Sequence, residues 1–370
     1  MTDAGTALAA ILRKEIATSG PMPVSAFMAR VLTDPDHGYY TTATPFGAQG
    51  DFITAPEISQ LFGEIVGAWM VHVAEAIAAA MPGDPVHLVE LGPGRGTLMA
   101  DILRVARLRP DLDARIDVHL VEASPKLRET QKATIAKARP DRVAPNWHET
   151  ADTIPEGPFV LVANEFFDAL PIEQAVKTSD GWRRRIVTVE NGGLIFAAGE
   201  PAHVPTQFAD AAPGSILETC PQAVAIASGL AQRMTRQPGV ALAIDYGYEL
   251  PAIGDTLQAV RRHKPCDPLE HIGQADLTAH VCFGALARAA IEAGAQAFGP
   301  MTQAQFLGEL GIAERAERLI TARPDQRSDI EGALARLISP DAMGSLFRAL
   351  VLTSPGMSTP PPFTQAAHTG

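Results

Sequence analysis

The run Val86-His87-Leu88-Val89-Glu90-Leu91, followed at once by Gly92-Pro93-Gly94-Arg95-Gly96, constrains the fold more than any other part of this chain. Six mostly aliphatic residues bounded by turn formers read as a buried strand. Glycines at alternate positions let the backbone bend sharply and let a ligand come close. Leu98, Ile102, Leu103 and Ala106 then open a helix, whose first free amides can hold polar ligand atoms. The strand and helix pattern continues. Residues 118–121 read as a second strand, 125–138 as a helix, 143–147 as a possible third strand and 159–163 as a fourth. That alternation predicts a parallel sheet with helices on both faces, which binds ligands beyond the carboxyl ends of its strands.

Ahead of this core, helices are expected over residues 4–19 and 24–32. A polar, glycine-bearing loop follows, and a long helix begins near Pro56. The apolar stretch from Trp69 to Met81 carries His72 and Glu75, so a buried helix is expected there and not a membrane span. After Pro171 the pattern becomes a hairpin, 182–189 and 194–198 around Gly192-Gly193, then a proline- and alanine-rich loop over 199–215. Residues 216–234 read as mostly helical, 240–244 as another strand of parallel type, and 256–260 as strand or loop. A helix started by Asp276 is expected over 275–293, with further helical pieces at 303–310 and 312–321. From Thr353 onward the proline-bearing tail reads as extended or disordered. The expected organisation is an N-terminal helical region with an active-site loop (1–80), a core over 81–350 interrupted by an insertion at about 172–238, and a flexible tail over 351–370.

Composition narrows the function classes. A formal charge of −12 repels nucleic acid and anionic membranes at long range, so neither is expected as a partner. Cys220, Cys266 and Cys282 lie too far apart for a zinc knuckle or a CxxC redox motif. No His/Cys/Asp spacing suggests a metal, and no Gly-x-Ser-x-Gly elbow suggests a serine hydrolase. The first residues show neither a basic start nor an apolar run of signal length, so a soluble, cytoplasmic protein is expected.

The turn reads Gly-x-Gly-x-Gly with Thr97 next, so the dinucleotide form Gly-x-Gly-x-x-Gly is not met, and the lysine of a phosphate loop is absent. Glu90 just before it would face a pyrophosphate unfavourably but could help hold a cationic sulfonium nucleoside. Glu122 ends the second strand, where a carboxylate's two oxygens match a ribose diol. That acid alone does not separate NAD from S-adenosylmethionine. Asn164, Glu165 and Asp168 follow the fourth strand. Asn164 offers donor and acceptor, and the two acids could orient a cationic substrate, although Asp168 could equally cap a helix. Softer candidates are the 51–57 segment as part of a lid, Asp245-Tyr246-Gly247 on the same rim, and His280 on the helix expected at 275–293.

Several segments together resemble the MidA-like family: HGYY at 37–40, GDFITAPEISQLFGE at 50–64, LVELGPGRGTLMADILR at 88–104, HLVEASPKLRETQ at 119–131, VANEFFDALPI at 162–172, AIDYG at 243–247, ADLTAH at 275–280, GPMTQAQFLGELGI at 299–312 and MGSLF at 343–347. The resemblance implies a class I methyltransferase-like (Rossmann-like) α/β fold with added N-terminal helices and a helical and hairpin insertion. It implies S-adenosyl-L-methionine as cofactor, held by Gly92, Gly94, Gly96, Glu90 and Glu122, with Asn164 beside them. Glu165 and Asp168 match the family's acidic motif and would be the catalytic pair. It further implies arginine methylation of a respiratory complex I subunit. A small-molecule methyltransferase, or a cofactor-binding assembly protein without activity, stays open as an alternative. One departure is Cys282, where the family usually carries an aspartate.

Overall fold

The computed structural model describes residues 6–42, 54–364 and 366–367. They form two units: one from the stretches 6–42, 168–223 and 251–280, the other from 54–167, 224–250, 281–364 and 366–367.

The larger unit is built on an eight-stranded sheet. Its strands, in chain order, are β1 (Val86–Leu91), β2 (Ile116–Val121), β3 (Asn146–His148), β4 (Phe159–Asn164), β5 (Gly239–Tyr248), β6 (Val281–Cys282), β7 (Gln296–Thr302) and β8 (Phe347–Thr353). They lie in the order β7-β8-β5-β4-β1-β2-β3, with β6 beside β5. All neighbours run parallel except β8, which enters antiparallel between β5 and β7. This is the open α/β architecture expected from the strand–helix alternation. Every residue of β1 and β4 is buried, because helices cover both faces of a parallel sheet. The chain moves outward from β1 through β2 to β3 and then returns to β4 on the other side of β1. That reversal opens a crevice at the carboxyl ends of β1 and β4. Leu91 is level with Val121 on one side and Ala163 on the other, so Gly92, Glu122 and Asn164 stand at the same rim.

Helix Gln60–Ala80 buries Phe62, Val66 and Met70 in the same core as Ile102, Leu103, Val160 and Leu242. By length and mean hydropathy it could cross a membrane, yet most of it is packed inside this unit. The long helix expected from Pro56 is in fact two. Ala55–Ile58 ends at Ser59, whose extended backbone and hydroxyl cap the second helix at the Leu61 amide, 3.2 Å away. Of the tail expected to be extended or disordered, the flexible reading is corrected where residues are described. Residues 347–353 form β8, and Phe363 joins the core beside Phe306.

The smaller unit carries helices Ala7–Ser19 and Val24–Thr33 and a five-stranded antiparallel sheet. Its hairpin Gly181–Glu190/Gly193–Pro201 turns on Asn191-Gly192, one position earlier than expected. Both residues have positive φ, as a two-residue turn of the mirror-image type requires. Leu8, Leu12, Phe27, Val187 and Leu277 fill its core. Two expected helices start late. Ile216–Thr219 is a strand, and the helix begins at Pro221, where proline suits the first helical position. Likewise Asp276–Thr278 is a strand paired with Gln258–Arg261, and the helix after it spans only Phe283–Glu292.

Candidate functional site

The rim residues of the larger unit are set by the glycine turn. Gly92, Gly94 and Gly96 have φ of 60°, 52° and 80°, a left-handed region costly for any residue with a Cβ. At Gly92 an added Cβ would also fall 2.8 Å from the Phe166 ring. Gly96 caps helix Thr97–Ala106 without a side-chain oxygen. The Glu90 carboxylate, reaching up from β1, accepts from the Met99 amide in the first turn of that helix. Glu90 is only 3% exposed, and its Oε2 has no hydrogen-bond partner among the described residues.

Burial pushes the Glu90 carboxyl up to about 8, against the weaker opposing pull of the Met99 amide. Between the ordinary glutamate value of 4.5 and about 8, the folded chain therefore holds a proton that the unfolded chain has lost. Folding stability then falls as pH rises through that window and levels off above it. The ligand-free protein should melt lower at pH 8 than at pH 6, and Glu90→Gln should flatten that slope. A Glu90→Gln melting profile parallel to the native one would contradict the assignment.

Glu122 stands at the end of β2. Its Oε1 accepts from the Ser124 amide at 2.8 Å and its Oε2 from Gln131 Nε2 at 3.2 Å. Burial raises its pKa, and these donors oppose the rise. Gln131 went unremarked in the sequence, yet it links the parts of the site. Fully buried, it also donates to Gly94 O at 2.9 Å and accepts from Trp147 Nε1 at 2.8 Å. Removing it would leave three half-buried partners unpaired, each costing up to about 1–3 kcal/mol. Gln131→Ala should therefore lower stability by roughly 2–4 kcal/mol, read as a shift of the urea midpoint. A midpoint unchanged from native would contradict that bridging role.

Asn164 and Glu165 end β4. Asn164 Oδ1 is buried without a hydrogen-bond partner among the described residues, and its Nδ2 donates to Glu165 Oε1 at 3.2 Å. Glu165 has φ 50°, a left-handed conformation costing a non-glycine residue about 1–3 kcal/mol and concentrated at functional sites. Its amide donates to Ile244 O, and its Oε1 also accepts from the Ala55 amide at 2.8 Å. Glu57, two residues along the same short helix, accepts from Thr97 Oγ1 and pairs with Arg95 at 3.6 Å. Helix Ala55–Ile58 is thus tied both to the glycine turn and to the end of β4. Of the expected lid, residues 51–53 lie outside the described residues.

The other candidates sort differently. Asp245 lies fully buried within β5, its carboxylate accepting from the Phe167 and Tyr246 amides at 3.0 and 2.9 Å. That ties the β4 exit to β5, a structural task. Asp168 belongs to the smaller unit, where its carbonyl accepts from the Ala279 amide at 3.0 Å. The buried Tyr40 hydroxyl there bonds Asp276 at 3.1 Å. Its pKa is driven well up by burial first, then by the Asp276 and Asp168 charges. His280 is on no helix. It follows a strand, its amide donates to Thr256 Oγ1, and burial lowers its pKa.

Cys282 is the N-cap of helix Phe283–Glu292 and makes no side-chain capping bond. An aspartate in that place would cap the helix. Cys282→Asp should stabilise the chain by about 1 kcal/mol, raising its melting temperature. A lower melting temperature would contradict the capping role.

Against known proteins, residues 65–301 match the family model described as "Putative S-adenosyl-L-methionine-dependent methyltransferase". The chain is 38% identical over 363 residues to the mitochondrial protein arginine methyltransferase NDUFAF7 of Xenopus tropicalis, covering 90% of this chain and 83% of that protein. It is 36% identical over 368 residues to the human protein of the same name, covering 92% and 82%. Among solved structures, a Burkholderia thailandensis protein bound to S-adenosyl-homocysteine superposes with a TM-score of 0.83 at 32% identity, covering 94% of this chain and 92% of that one. A native crystal structure from the same organism gives 0.82 at 31%, covering 98% and 96%. The expectation of a cytoplasmic protein does not stand, since these curated relatives are named as mitochondrial.

Proposed function

Because this chain belongs to the S-adenosyl-L-methionine-dependent methyltransferase family, we propose that it transfers the methyl group to an arginine side chain of a protein. The cofactor supplies an electrophilic methyl carbon on a sulfonium sulfur. The chain's own residues fit it on three counts. Glu122 offers a ribose diol two carboxylate oxygens at the rim of β2. Glu90 Oε2 and Asn164 Oδ1 are buried oxygens without hydrogen-bond partners among the described residues, suited to the cationic amino-acid end. Gly92, Gly94 and Gly96 hold the left-handed backbone of the turn, and at Gly92 and Gly96 a Cβ would press on Phe166 and Gln131. Convergence of these groups at the β1/β4 switch point carries the reading.

Arginine as acceptor is supported by the relatives' names and by Glu165. A guanidinium presents its donors in a planar fork that a carboxylate matches. It stays protonated far above neutral pH, so the carboxylate orients it and need not deprotonate it beforehand. Alignment is then the protein's main contribution. Glu165 already fastens the Ala55 amide, so the residue that would orient the acceptor also holds the helix beside the glycine turn. The same role proposed for Asp168 rests on the acidic motif of the sequence. As substrate we propose a subunit of respiratory complex I, following the resemblance to the MidA-like family.

The test incubates the protein with methyl-labelled cofactor and solubilised complex I, then hydrolyses the labelled bands. Labelled methylarginine in one subunit is the expected result. Label confined to a small-molecule fraction, or to another amino acid, would overturn the arginine reading.

A further inference from the structure

Three histidines and an aspartate stand in a row across β1, β2 and β3, on the sheet face opposite Glu90. His87 is level with Asp117, His119 lies two residues further along β2, and Val121, two beyond that, is level with His148. With side chains alternating between faces, all four point the same way. His87 and His119 are 3% and 1% exposed, while the Asp117 side chain is 45% exposed. None of them belongs to the proposed methyl-transfer site.

We propose that His87 Nδ1, His119 Nε2 and Asp117 Oδ2 form a binding site for a divalent transition metal, zinc foremost. These atoms make a triangle with edges of 2.9, 3.2 and 3.8 Å. Two ligands each about 2.0–2.1 Å from a tetrahedral ion lie about 3.3 Å apart, and the three edges straddle that separation. A point within the triangle is about 2 Å from all three atoms, the distance zinc takes to nitrogen and carboxylate oxygen.

The surroundings orient these ligands as metal sites require. His87 Nε2 faces the Glu156 carbonyl at 3.3 Å. A carbonyl only accepts, so the His87 proton sits on Nε2 and the Nδ1 lone pair points to the triangle. Gly157, at φ 141°, permits that approach, for a Cβ there would lie 2.7 Å from His87 Nε2. His119 Nδ1 faces His148 Nε2 at 2.9 Å, and His148 Nδ1 faces Thr153 Oγ1 at 2.9 Å. For metal binding His119 carries its proton on Nδ1 and donates it to His148 Nε2, and His148 carries its own on Nδ1. Asp117 Oδ1 is held by Asn146 Nδ2 at 3.0 Å. Each ligand thus has the outer partner typical of metal-binding histidines and carboxylates. Two neutral imidazoles and one carboxylate leave a net charge of −1 for the cation, and the exposed side of Asp117 leaves a fourth position for water.

The test uses the full chain, stripped with chelator, dialysed and titrated with zinc chloride against a competing chromophoric chelator. Asp117→Asn, at a partly exposed position, and His87→Gln are measured beside it, with circular dichroism to establish folding. The expected result is one zinc per chain, with affinity falling at least about tenfold in folded Asp117→Asn. Should His87→Gln fail to fold, Asp117→Asn alone decides. No saturable binding by the native chain, or equal affinity in native and Asp117→Asn protein, overturns the proposal. Neither readout depends on methyl transfer.

Discussion

Glu122→Ala should weaken S-adenosyl-homocysteine binding by about 10²–10⁴-fold. The estimate takes the carboxylate as the acceptor for both ribose hydroxyls, each hydrogen bond to a charged group being worth about 1.5–3 kcal/mol. Glu122→Gln keeps the shape and one acceptor, so it should fall between the two. The change also frees the Gln131 amide and the Ser124 N–H, so thermal unfolding accompanies the titration to separate lost binding from lost fold. A folded Glu122→Ala protein binding within threefold of native would remove the ribose role.

The second large effect is expected at Glu165. Glu165→Gln retains an oxygen for the Ala55 amide but removes the negative charge facing a guanidinium. Losing a placed electrostatic partner costs roughly 10²–10³-fold in rate, so kcat/KM for methylation should fall by about that factor. Binding of S-adenosyl-homocysteine should stay within a few-fold, because the cofactor groups are left in place. That split matters, since Glu165 also has a purely structural task on Ala55. Unchanged methylation in Glu165→Gln would reduce the residue to that latch. Asp168→Asn, measured separately, is expected to lower the rate in the same direction.

Much of the fold was legible because its signals are local. The bounds of β1 follow from an aliphatic run closed by a glycine, and its neighbours from the same pattern repeated. Glu90, Glu122, Asn164 and Glu165 could be singled out because strand ends in a parallel sheet share one rim. The remaining features depend on partners distant in sequence. Nothing near Phe347 signals that β8 will enter antiparallel between β5 and β7. Asp276 looks like a helix start, but pairing with Val260 makes it a strand residue, and Cys282 becomes the cap instead. Gln131 reads as an ordinary helix residue until Gly94, Glu122 and Trp147 surround it. His87, Asp117 and His119 lack metal-site spacing because sheet register, and not a short motif, brings them together.

Calorimetric titration of the native protein with S-adenosyl-homocysteine, run beside NAD, tests the central claim most directly. One saturable site for S-adenosyl-homocysteine and no heat of binding for NAD is the predicted outcome. NAD binding, or no binding of S-adenosyl-homocysteine by folded protein, would contradict the placement of a sulfonium nucleoside at the β1/β4 crevice.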